Sequence, residues 1–257
     1  MATTYLNSTP ILNFEHPSLR TLIRDRGWQR LPEKERIGAI YDFVRDEIAF
    51  GYNVSDEIPA SSVLADGYAQ CNTKTTLLMA LLRATGIPCR FHGATIHKRL
   101  QKGVVDGFFY RVAPEDILHS WTEVEFDGRW VGLEGVILDA RYLDGLRSGV
   151  AGGGGSFLGY GAGTEDIVDP PIEWKGTDTE IQATGVNNDF GVFDDPDEFY
   201  RRRGTNLTGL RGLLFRLVIR RIMNRKVESI RGCAAVSDRR AVRGLGSGDA
   251  LSPPSLR

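Results

Sequence analysis

Tyr68-Ala69-Gln70-Cys71-Asn72-Thr73-Lys74 runs directly into Thr75-Thr76-Leu77-Leu78-Met79-Ala80-Leu81-Leu82-Arg83-Ala84-Thr85, and Gly86 and Pro88 close the run. Helix formers dominate the second stretch, and a glycine followed by a proline is the usual punctuation after a last turn. Apolar residues on nearly every side predict a buried helix rather than a surface one. Its first turn falls at Cys71, so unpaired backbone N–H groups and the positive end of the helix dipole point at the sulfur. Both favour thiolate over thiol, and the expectation is a thiol more acidic than the free value of about 8.5. Gln70 and Asn72 on either side suit a cleft better than a core. Cys89, in Ile87-Pro88-Cys89-Arg90-Phe91, reads as a small buried hydrophobe, and Cys233 falls in a polar tail.

Downstream, Leu118 to Phe126 is aromatic and β-branched, Asp127-Gly128 is a two-residue hairpin signal, and Arg129 to Glu134 resumes an extended pattern. That turn pairs Phe126 with Arg129, Val124 with Val131 and Trp121 with Glu134. His119 and Trp121 then share a face, and Glu134 lies diagonal to His119 at a backbone separation of roughly 7 Å, which a glutamate spans. A carboxylate there would hold one ring nitrogen of His119 while the other takes the proton of Cys71. A one-residue slip would move Glu134 to the wrong face, leaving Asp139 as the next acid to consider. Glu123 and Glu125, on the His119 face, read as a solvated strand edge.

Taken together, these segments resemble the transglutaminase-like superfamily of thiol enzymes. Tyr68-Ala69-Gln70-Cys71 is similar to the family's Tyr-Gly-Gln-Cys, and Leu82-Arg83-Ala84-Thr85-Gly86-Ile87-Pro88-Cys89-Arg90 to its Leu-Arg-x-x-Gly-Ile-Pro-x-Arg run. His119-Ser120-Trp121-Thr122-Glu123-Val124 resembles the His-Ala-Trp-x-Glu-Val strand, and Trp130-Val131-Gly132-Leu133-Glu134 the Trp-x-x-hydrophobic-Asp strand. The resemblance spans roughly residues 33 to 140. It implies an α+β fold with a papain-like core, in which a nucleophile-bearing helix packs on an antiparallel sheet. It also implies Cys71 as nucleophile, His119 as base and acid, and Glu134 in the place of the usual Asp. The oxyanion would be held by the Cys71 backbone N–H and a side-chain donor, with Gln70, Tyr68 and Asn53 as candidates. Asn72 and Trp121 are candidates for substrate contact. Asn72 stands where a non-polar residue is frequent.

A length of 257 residues and a hydrophobic content of 41% suit one sizeable core without staples. The formal net charge of −1 makes no electrostatic bid for nucleic acid. Three unpaired-looking cysteines, without a signal peptide or a long apolar run, predict a cytoplasmic protein with no stable membrane insertion. The histidines show no metal-ligand spacing, and neither metal nor cofactor is expected. Asp194-Asp195-Pro196-Asp197-Glu198 reads as a helix start, with Asp195 as N-cap, rather than a calcium loop.

Pro32 opens an amphipathic helix through Ile37, Ile40, Tyr41, Val44 and Ile48. Arg90 to His97 and Gly107 to Val112 read as strands, and Lys98 to Gly107 as an exposed loop. The expected organisation is a catalytic core over 1–140, with a loop-rich insertion or lid region over 141–206. A basic amphipathic helix over 207–231 forms a C-terminal extension, and a flexible tail occupies 232–257. In the extension, Leu210, Leu213, Leu214, Leu217, Val218 and Ile222 are expected to pack on the domain, with arginines in water. The glycine-rich 149–163 stretch reads as a surface loop, with a substrate lid as the alternative.

The implied activity is attack on an amide or ester carbonyl through a Cys71 thioester, with hydrolysis slightly favoured (an amidase or peptidase). The substrate would be a peptide, a protein or a small molecule. Transfer to an amine co-substrate, as in a transglutaminase or an amide-forming enzyme, is the alternative. A non-catalytic binding module on the same scaffold is the reading from another class.

Overall fold

The computed structural model describes residues 3–149, 155–206 and 209–245. Helices α1 (Pro17–Arg26) and α2 (Glu33–Asp42) lead in, and the latter widens into a π turn over Phe43–Glu47. Ile37, Ile40, Tyr41, Val44 and Ile48 are all buried, as their spacing requires. The two-residue strand β1 (Ala49–Phe50) pairs in parallel with β2 (Tyr68–Ala69) across α3 (Ala60–Asp66), and β2 delivers the chain to α4 (Cys71–Ala84).

The main sheet is antiparallel, in the order β5 (Arg129–Gly132), β4 (Asp116–Phe126), β3 (Cys89–His97), β8 (Val186–Phe193). Helix α4 packs across β4 and β3 and is buried over almost its whole length, as its composition demands. The result is a mixed α+β fold: a curled antiparallel sheet with flanking helices.

The β4–β5 register joins Phe126 to Arg129 and Val124 to Val131 across a turn with positive φ at both Asp127 (52°) and Gly128 (73°). The pairing stops at Glu123 with Gly132. The expected Trp121–Glu134 pair does not form. Leu133 instead bridges to Thr179, and the Glu134 and Gly135 N–H groups both donate to Thr179 O, turning the chain into a 3-10 helix over Glu134–Ile137. The last hairpin bond, Leu133 N–H to Thr122 O at 2.8 Å, is kept, and a segment some 45 residues further on then draws the chain away from β4.

Gly107–Val112 forms helix α5, not a strand, because the sheet edge it would need is occupied by β8. The connection before it is not an exposed loop either: Lys98–Gln101 is a 3-10 turn, and Leu100, Val104 and Val105 are buried. After α6 (Ala140–Gly149) come β6 (Phe157–Gly159) and β7 (Ala162–Thr164), a tight hairpin turned by Tyr160 (φ 53°) and Gly161 (φ 80°). Ala162, Gly163 and Thr164 are buried, so this part of the glycine-rich stretch is core rather than surface loop; residues 150–154 lie outside the described residues.

Helix α7 (Pro196–Arg203) begins as its sequence predicts: the Asp195 carboxylate accepts the Glu198 N–H at 2.8 Å, and Gly204 closes the last turn. Its Phe199 lies against Phe91 and Phe193 of the sheet.

The chain ends in α8 (Gly209–Leu214), a π turn over Phe215–Ile219 and α9 (Arg220–Leu245). The face turned to the domain is not the expected one. Met223, Val227 and Ile230 are buried and Phe215 and Ile219 pack on the core, whereas Leu213, Leu214, Leu217, Val218 and Ile222 are exposed. The face that meets the domain runs through Phe215, Ile219, Met223, Val227 and Ile230, in steps of three and four residues across the π turn. Leu210's side chain is outside the described residues. The helix runs past Gly232, where a tail was expected, as far as Leu245. It is held to α6 by close approach, since a Cβ on Gly145 would lie 2.1 Å from Ile230 O, and by a buried ion pair, Arg231 Nη2 to Asp139 Oδ2 at 2.7 Å. Among the described residues no helix is long and apolar enough to cross a membrane.

Candidate active site

Cys71 is the first residue of α4 and is 8% exposed. Gln70 is the N-cap: its side chain and that of Thr73 exchange hydrogen bonds with each other's backbone in a capping box. This explains the Gln and Thr three residues apart at the helix start. The backbone N–H groups of Asn72 and of Ser120, on β4, face the sulfur.

Asn72 fixes that approach: its Nδ2 donates to Leu118 O (3.1 Å), and its Oδ1 accepts from Ser120 Oγ (2.8 Å). The two partners flank His119, so one side chain clips the neighbour of the cysteine to both neighbours of the histidine. Thr75 Oγ1 adds a third tie to Ser120 O at 3.1 Å.

His119 is fully buried. Its Nε2 donates to Glu134 Oε1 at 3.0 Å, and its Nδ1 has no partner among the described residues. No hydrogen bond therefore joins it to the Cys71 sulfur. Glu134, 5% exposed, uses its second oxygen to accept the N–H groups of Ile181 (2.8 Å) and Gln182 (3.0 Å). The predicted partnership of His119 with Glu134 is present, but a 3-10 turn braced by residues 179–182 makes it, not a continuous strand. Asp139 is engaged elsewhere: it accepts from Arg231 and from the Phe50 and Tyr142 N–H groups.

The electrostatics differ from the expectation of a resting thiolate. Burial, and after it the charge of Asp56, push the Cys71 thiol well above the ordinary cysteine range. The Asn72 and Ser120 N–H groups oppose the shift without cancelling it. Sequence weighs the helix start, which is local, but not the burial, which is tertiary.

A cavity of about 170 Å³ opens beside the sulfur, with Gln70, Cys71, Asn72, Asp56 and Gln182 in its wall. Tyr68, Asn53 and Trp121 are not in that wall. Asn53 spends both amide hydrogens on Asp66 and Tyr68 O, and Tyr68 OH accepts from Arg220. Trp121 stacks on His92 at 4.0 Å. Gln70 accepts the Asn53 N–H and donates to Asp56 Oδ1 (2.9 Å), whose other oxygen accepts from Asn206 Nδ2 (2.8 Å).

Glu123 is no solvated edge. It accepts from Arg90 and His92, each at 2.6 Å, and His92 also reaches Asp189. Burial alone would lower the His92 pKa, but these carboxylates raise it. Asp56, Gln182 and the contribution of residues 179–182 carry no local motif. Only the folded chain brings them to the site. Among the described residues no group of three His, Cys, Asp or Glu side chains could hold a metal ion.

A curled antiparallel sheet with flanking helices, the buried one headed by a cysteine, is the outline expected of a transglutaminase-like domain. The family model described as the transglutaminase-like superfamily matches residues 24–135, and this stretch of the chain is a transglutaminase-like superfamily domain. Among solved structures the chain is similar to one described as "a Putative Cysteine Protease from Cytophaga hutchinsonii", at 13% identity and a TM-score of 0.43. That likeness covers 76% of this chain and 47% of the other, so the chain spans about half of that protein's length. No curated protein matches.

Proposed function

We propose that Cys71, His119 and Glu134 are the thiol, imidazole and carboxylate of an acyl-transfer enzyme that attacks an amide or ester carbonyl and passes the acyl group to water. The observation that carries this reading is the His119–Glu134 hydrogen bond. It fixes the hydrogen on Nε2 and leaves Nδ1 as a buried acceptor without a partner, on a strand clipped to the cysteine's own helix turn. On this reading the core is papain-like, with the nucleophile helix packed on the sheet. The raised thiol pKa makes the resting nucleophile a neutral thiol. The proton crosses from sulfur to Nδ1 as the carbonyl is attacked, so that separated charge exists only as the new bond forms.

The S–C bond forms, the C–N or C–O bond breaks, and His119 returns the proton to the departing amine or alcohol. Water, deprotonated by His119, then cleaves the thioester to release the acid and the thiol. Gln70 and the Cys71 N–H are the nearest candidates for stabilising the oxyanion.

The test is alkylation by iodoacetamide near neutral pH, with and without an amide substrate, followed by turnover assays in hydroxylamine. Substrate-protected labelling at Cys71, ammonia or amine release, and loss of both in Cys71→Ala are expected. Hydroxamate in place of free acid identifies transfer to an amine instead. A Cys71→Ala protein that turns over normally removes Cys71 from the chemistry, and an absence of turnover with labelling at Cys71 that substrate never protects returns the chain to the class of non-catalytic binding modules.

A further inference from the structure

We infer that the cavity beside Cys71 takes an amide or ester bearing an apolar group of about six carbons, and that the C-terminal helix supplies the wall that selects it; this rests on the thiol-enzyme reading above. Apart from the groups around Cys71 and a few polar side chains such as Gln101 and Thr205, the walls are apolar and come from three directions. Ile96 and Ile117 come from the sheet, Phe109 and Val112 from α5, and Phe215 and Ile219 from the segment leading into α9. The last pair lies far outside residues 24–135, so the helix beyond the family domain is part of the site.

The cavity's volume, about 170 Å³, is close to that of an apolar cavity of about 150 Å³ that accommodates benzene, which sets the scale at about six carbons. Its mouth carries Val54, Val112 and Leu214, all more than a third exposed, so a longer chain would meet apolar surface on its way out. Among the described lining residues Asp56 is the one acid and Arg216 the one base. Asp56 already accepts from Gln70 and Asn206. Both Asp56 oxygens are thus already hydrogen-bonded and Arg216 is exposed, so a group entering the cavity meets mostly apolar wall, where an unpartnered polar group would be desolvated at a cost.

The experiment compares alkylation of the full chain by N-methyl- and N-hexyl-chloroacetamide, read at each cysteine by peptide mass spectrometry. The hexyl-to-methyl rate ratio should be about tenfold higher at Cys71 than at Cys233, because buried methylenes stabilise the bound reagent. Ile219→Glu and the more exposed Val112→Glu, on different walls, should each bring the hexyl-to-methyl ratio at Cys71 down toward that at Cys233. Equal ratios at the two cysteines, or a preference that survives both variants, would overturn the proposal.

If Cys71 resists both reagents, it is the thiol reading that fails, and the cavity is then read on Cys71→Ala protein by ligand-observed NMR. Tighter binding of N-methylhexanamide than of N-methylacetamide, weakened by Val112→Glu, upholds the apolar site. Equal binding ends it.

Discussion

At the residue scale, the hydrogen-bonding of Glu134 decides what its replacement would do. In Glu134→Gln the amide oxygen can keep the Ile181 and Gln182 N–H groups, which turns the NH₂ toward His119 Nε2. The imidazole must then carry its hydrogen on Nδ1, where a base is needed. We expect turnover to fall by about 10⁴-fold with little change in melting temperature, as for a triad held in the wrong tautomer. Steady-state kinetics within threefold of the parent protein would remove Glu134 from the mechanism.

Lys74, three residues after the cysteine, is completely buried, and its Nζ donates to Arg45 O (2.7 Å) and Val136 O (3.1 Å). Burial lowers its pKa to about 7. Between there and the unfolded value of about 10.4 the unfolded chain binds the extra proton, so this group makes stability rise with pH from about 7 upward. Denaturant titrations at pH 6.5 and 8.5 should show that rise in the parent protein. In Lys74→Met it should be smaller, on top of a general loss from two orphaned carbonyls. An equal rise in both proteins would show that Lys74 does not titrate in this range.

At the element scale, the β4–β5 hairpin was readable because its information is local. Asp127-Gly128 sets the turn, the turn sets the register, and the register holds as far as Gly132. Gly128→Val, which forces a β-branched residue to φ 73°, should cost about 1–2 kcal/mol in chemical denaturation. A loss below 0.3 kcal/mol would mean the turn does not fix the hairpin. Where reading failed, a non-local competitor won. Thr179 captured the chain at Glu134, β8 took the sheet edge that a strand over Gly107–Val112 would have needed, and the core packed on Phe215, Ile219 and Met223 rather than on Leu213, Leu214 and Leu217. Cys71, His119 and Glu134 stood out because each lies in a short patterned segment. Asp56, Gln182 and the cavity walls are assembled from distant, unpatterned ones.

At the scale of the whole molecule, α9 is joined to the core by the Arg231–Asp139 pair, and Asp139 also accepts the Phe50 N–H. Arg231→Met would leave a buried carboxylate without its cation and should cost about 3–5 kcal/mol, read by denaturant unfolding. Phe215 and Ile219 line the cavity on the approach to the same helix, so that variant should also slow alkylation by the hexyl reagent more than by the methyl one. A variant as stable as the parent would show that the ion pair does not hold the helix in place.

The grip of Ile181 and Gln182 on the Glu134 carboxylate reaches further than the site itself. A fragment trimmed at the edge of the superfamily match would contain Cys71, His119 and Glu134, yet its glutamate would lose the two amides that aim it. The smallest unit that keeps the His119–Glu134 contact braced is thus set by a backbone donor almost fifty positions downstream of the glutamate.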